Sequence, residues 1–63
     1  MTVRDYRIVK VADGVYKLIL YSYENEAQLY QADLENREAD HIVDIELYES
    51  ESLAVFAGES WVS

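Results

Sequence analysis

Two runs rich in Val, Ile, Tyr and Leu meet at Asp13-Gly14, and this arrangement dictates the first third of a 63-residue chain. Asp-Gly accepts the positive φ values of a two-residue type I′ loop, so residues 1–23 predict a β-hairpin. With Asp13 and Gly14 as the loop, Ala12 faces Val15, Val11 faces Tyr16, Val9 faces Leu18 and Arg7 faces Leu20. That register places Val9, Val11, Tyr16, Leu18 and Leu20 on one face. Tyr6, Ile8, Ile19, Tyr21 and Tyr23 fall on the other. It also sets Lys10 against Lys17, an unfavourable like-charge pair that calls for a different register or a nearby carboxylate. Both faces are largely apolar, so one packs on the chain's own core and the other requires a helix, a partner or exposed tyrosine.

Beyond Tyr23 the composition turns to Glu, Gln, Ala and Leu, and Ala27, Tyr30 and Leu34 recur at helical spacing. Residues 24–39 therefore predict a helix, with Glu24 and Glu26 at its positive end and an Asp33–Arg37 pair toward its other end. Alternation of Tyr30, Ala32 and Leu34 is the rival strand reading. From His41 to Glu49 the residues alternate, with Val43, Ile45 and Leu47 on an inner face and Ile42, Asp44, Glu46 and Tyr48 on an acidic outer one. Glu49-Ser50-Glu51-Ser52 reads as a polar break and Leu53 to Ala57 as a last strand, so residues 41–57 hold two strands and 58–63 a loose tail. The expected architecture is one α+β domain over residues 1–63, an antiparallel sheet in ββαββ order with one helix packed on it.

A domain of this length buries only about 60% of its unfolded surface, and its stability is expected to be small. The chain has no cysteine and a single histidine, His41, so neither a disulfide nor a zinc site is expected to staple it. The absence of cysteine suits a reducing cytoplasm. No apolar run approaches the ~20 residues of a membrane span, and the N-terminus lacks the apolar core of a secretory signal, so a complete cytosolic protein is expected. Glycine occurs only at 14 and 58, which leaves no phosphate-cradling loop, and a cleft of the ~300 Å³ that a substrate needs is not expected in so small a domain. On an alternating strand His41 and Asp44 point to opposite faces and form no dyad. These features argue against an enzyme and against any cofactor or metal.

Charge is divided along the chain. Residues 1–23 carry Arg4, Arg7, Lys10 and Lys17 against Asp5 and Asp13, a net of +2, whereas residues 24–63 carry eleven carboxylates and only Arg37, a net of −10. Such a field repels nucleic acid and anionic membrane and attracts basic protein surfaces. Asp40, Asp44, Glu46, Glu49 and Glu51, with Tyr48 and Trp61 as apolar anchors, are the candidate partner-binding residues. Asp44 and Glu46 sit about 6.6 Å apart along a strand, a spacing on the scale of a phosphate ladder. The expected role is an inhibitor or decoy that occupies the basic surface of a nucleic-acid-binding protein, a profile shared as a class by phage counter-defence proteins. A solvated, solubilising surface and adaptation to high salt are the competing readings of the same charge. The other expectation is a structural or accessory subunit that self-associates through Tyr6, Tyr21 and Tyr23.

Overall fold

The computed structural model describes residues 2–63; Met1, included in the expected hairpin segment, lies outside the described residues. The elements are β1 (Val3–Ala12), β2 (Val15–Tyr23), α1 (Glu26–Glu35), a 3-10 turn (Glu38–His41), β3 (Ile42–Tyr48) and α2 (Glu51–Val62). The strands form one antiparallel sheet in the order β1-β2-β3, with a helix against each face. The fold is α+β, but the ββαββ order is corrected at its last element. Leu53 to Ala57 is helical, and the expected tail 58–63 continues the same helix. Ser50 starts it: the side-chain hydroxyl accepts the Leu53 N–H at 3.3 Å and the carbonyl accepts the Ala54 N–H at 3.2 Å.

The hairpin forms with a different register. Gly14 has φ 71°, and among the described residues Asn36 is the one non-glycine with positive φ, so the loop is not type I′. Ala12 faces Val15 across the Asp13-Gly14 loop as expected, but the pairing shifts between Lys10 and Ala12, leaving Val11 as an extra, bulged residue on β1. From there Lys10 faces Tyr16, Ile8 faces Leu18, Tyr6 faces Leu20 and Asp5 faces Tyr21. Lys10 is thereby moved off Lys17 and pairs with Asp13 at 3.3 Å. A one-residue slip turns every side chain of β1 to the opposite face. Tyr6 and Ile8 lie beside Leu18 and Leu20, whereas Tyr21 and Tyr23 lie on the other side of the sheet, which corrects the expectation that the three tyrosines share a face.

Central β2 is covered on both sides, and Leu18, Ile19, Leu20, Tyr21 and Tyr23 are buried. α2 lies over the Tyr6 and Leu18 face, bringing Ala54 and Gly58 down as its buried positions. α1 covers one end of the opposite face, where Ala32 packs with Ile19, Tyr21 and Tyr23, flanked by Val3 and Leu29.

Both ends of α1 are capped. Asn25 accepts the Gln28 N–H at 2.8 Å, and the Gln28 side chain reaches back to the Glu24 N–H at 2.7 Å, a variant of the capping box. At the other end Asn36 is left-handed at φ 55°, and the Arg37 N–H returns to the Ala32 carbonyl at 2.8 Å, closing a Schellman motif. This turn stops the helix before residue 39. Since only Gly and Asn enter the left-handed region cheaply, Asn36→Ala is expected to cost about 1 kcal/mol, lowering the thermal midpoint by roughly 4–8 °C. Asn36→Gly should not lower it. Equal midpoints for the Asn and Ala forms would show that this cap does not hold the helix end.

Two inner faces expected from the sequence point outward. In α1 the stripe of Ala27, Tyr30 and Leu34 is exposed, while Ala32 is buried and Gln28 and Leu29 are half-buried. In β3 Glu46 and Tyr48 are the half-covered positions, whereas Ile45 and Leu47 are exposed. The cause is the placement of the helices. α2 occupies the sheet face that Asp44, Glu46 and Tyr48 share, and α1 leaves the far end of the other face bare.

Candidate functional site

Asp44, Glu46 and Tyr48 are brought together on one face of β3, at the edge of the sheet. The Tyr48 hydroxyl donates to Glu46 Oε1 at 2.6 Å. That hydrogen bond, followed by desolvation and the Glu46 and Asp44 charges, raises the Tyr48 pKa above its usual value. Glu46 is thus oriented by its neighbour. Glu49 follows in the bend after β3, and Glu51 opens α2, so both extend the acidic row past the strand end.

Asp40 and Trp61 stand apart. Asp40 belongs to the 3-10 turn, and a pairing shift between Leu20 and Tyr21 makes Val43 a bulge, so Asp40 is out of step with Asp44. Trp61 lies at the far end of α2, roughly 15 Å along the helix from Glu51. Its indole N–H donates to the Tyr21 carbonyl at 3.0 Å, and the Arg4 guanidinium lies 4.6 Å from its ring centroid. Trp61 is therefore half-buried and tied into the fold of its own chain. Of the tyrosines expected at a self-association surface, Tyr21 and Tyr23 are buried in the core. Tyr6 is half-buried beneath α2, its hydroxyl donating to Glu59 at 2.8 Å.

The division of charge along the chain becomes a division across the sheet. β1, at one edge, carries Arg4, Arg7 and Lys10, and β3, at the other, carries Asp44 and Glu46. Among the described residues the one ion pair within 4 Å is Lys10–Asp13, and no cation among them pairs with a carboxylate after Tyr23 at that range. Both edges are also guarded in the same way. Asp5 accepts the Tyr6 N–H at 2.9 Å on β1, and Asp44 accepts the Ile45 N–H at 2.9 Å on β3. An aspartate that satisfies the next N–H on an edge strand removes a donor from any incoming strand. Sequence reading missed this pair of contacts, whose signal is an Asp inside each edge strand.

A wide, open depression of about 720 Å³, more surface than enclosed cleft, is lined by Ser22, Tyr23, Glu24, Asn25, Gln28 and His41 where β2 passes into α1. His41 stacks on Tyr23 with ring centroids 4.6 Å apart, and burial raises the Tyr23 pKa. Among the described residues no three His, Cys, Asp or Glu side chains are grouped to hold a metal ion. No helix among them is long and apolar enough to cross a membrane. No family model, curated protein or solved structure matches the chain.

Proposed function

We propose that this chain is a small, non-catalytic, acidic binding protein that occupies the basic surface of a partner, as an inhibitor or an anionic decoy. The observation that carries this reading is the row of Asp44, Glu46, Glu49 and Glu51 at the β3–α2 side of the sheet, without a cation within 4 Å among the described residues. Carboxylates already neutralised within the fold offer little to a partner. These retain their field and steer a cationic surface toward the strand edge. A nucleic-acid-binding protein in the cytoplasm is the target whose surface suits such a row. The same field disfavours direct contact with nucleic acid or an anionic membrane.

The test is binding kinetics with a basic partner captured from the source cell, measured over a salt series. Asp44→Asn, Glu46→Gln and Glu49→Gln combined should slow association by at least about tenfold at low salt and flatten the salt dependence. The fold should survive, since Asp44 and Glu49 are exposed and an amide oxygen at 44 and 46 can still accept from the Ile45 N–H and the Tyr48 hydroxyl. Unchanged association rates would reduce the acidic row to a solubilising surface.

A further inference from the structure

α1 turns its apolar stripe away from its own sheet. At 100° per residue, Tyr30 and Leu34 lie on the side of the helix opposite Leu29 and Ala32, and they are 64% and 61% exposed. Carboxylates of Glu26, Asp33 and Glu35 flank the stripe. The sheet face on which α1 rests is bare at its other end. There the end row is Val9–Lys17–Leu47, and in the next, Arg7–Ile19–Ile45, Ile19 is buried while the edge residue stays open, with Ile45 48% and Leu47 66% exposed. One surface is apolar with an anionic border, and the other is apolar with Arg7 and Lys17 beside it.

We propose that these two surfaces fit each other between two copies of the chain. A two-fold axis running across the strands sets the bare half of each sheet over the α1 of its partner. Each α1 then packs its Leu29 and Ala32 side on its own sheet and its Tyr30 and Leu34 side on Val9, Ile45 and Leu47 of the second copy. Residue i meets j and j meets i, as a closed two-fold requires. Charge selects this pairing over the alternatives. α1 against α1 would bring two acidic borders together, and β3 against β3 centred on Ile45 would oppose Asp44 to Glu46 while breaking the Asp44 contact to the Ile45 N–H. The broad side of the molecule extends 35 × 23 Å, so reaching the ~800 Å² per partner of a stable interface requires both surfaces, α1 and the sheet end together, to be covered. The acidic row of β3 stays outside this contact, on the opposite face of the sheet.

Sedimentation velocity of the full chain at about 100 μM and physiological salt tests the proposal. The expected result is a dimer, with Leu47→Glu and Tyr30→Glu each weakening self-association by at least about tenfold while circular dichroism is unchanged, because both side chains are exposed in the single copy. The chain has no cysteine of its own, so mixing a Tyr30→Cys form with a Leu47→Cys form and oxidising should give an interchain disulfide. The combined Asp44, Glu46 and Glu49 amide variant should remain dimeric, which separates this surface from the acidic row. A wild-type monomer at that concentration, or a dimer indifferent to both glutamate substitutions, would overturn it.

Discussion

Trp61→Ala is expected to leave a large part of the chain unfolded at 37 °C. Truncating a buried aromatic costs about 3–5 kcal/mol, and half-buried Trp61 belongs at the lower end of that range. Here the loss comprises the indole packing, the 3.0 Å hydrogen bond to the Tyr21 carbonyl and the Arg4 contact. A single core in a domain this small rarely supplies more than about 3–5 kcal/mol in total, so the variant approaches the midpoint of its own transition. Trp61→Phe keeps most of the ring and gives up the hydrogen bond, for a cost near 1 kcal/mol. Urea unfolding followed by circular dichroism measures both. If Trp61→Ala unfolds at the wild-type midpoint, the residue is not structural, and its expected role as a partner anchor returns.

Gly58→Ala is expected to destabilise, against the ordinary preference of a helix. Alanine in a helix interior is favoured over glycine by about 1 kcal/mol. A Cβ at this position would lie 2.5 Å from Tyr6 Cδ2 and 2.7 Å from Cε2 and Cγ. Those atoms belong to the body of the ring, whose hydroxyl is held by Glu59, so the ring cannot yield without breaking that bond. Overpacking of this kind costs about 1–3 kcal/mol and exceeds the propensity gain; a net loss of about 1–2 kcal/mol lowers the thermal midpoint by roughly 4–16 °C. Combining Gly58→Ala with Tyr6→Leu should cost less than the two changes added together, because each relieves the strain of the other. Strict additivity would show that the two residues do not press on one another.

The candidate surfaces are half legible in the sequence. Alternation from Ile42 to Tyr48 locates the acidic row on β3, and the run of carboxylates gives its sign. Which side of β3 is covered depends on where α2 crosses, and α2 itself is poorly marked. Leu53 to Ala57 is too short for strand and helix periods to differ, and Gly58 reads as a break, although Ser50 before an apolar run is an N-cap signal. Likewise Ala27, Tyr30 and Leu34 fit a helix correctly, yet their spacing carries no information about which way that helix rolls on a sheet. α1 turns small Ala32 inward because Tyr21 and Tyr23 already fill the space beneath it.

Local chemistry in the chain determined the hairpin, the existence of α1 and its caps, the strand β3 and the division of charge, since each rests on contacts among residues a few positions apart. Only tertiary structure decided the register and the faces. Asp13-Gly14 sets the two-residue loop and the Ala12–Val15 pair, but the bulge at Val11 moves the rest of β1 by one residue, which carries Tyr6 to the opposite side of the sheet. The extra residue is favoured by contacts far apart in sequence: it frees Lys10 from Lys17 and sets Tyr6 against Gly58 and Glu59, 52 and 53 positions away. Such contacts leave no periodic mark in a single sequence, because their partners meet only after the chain has folded.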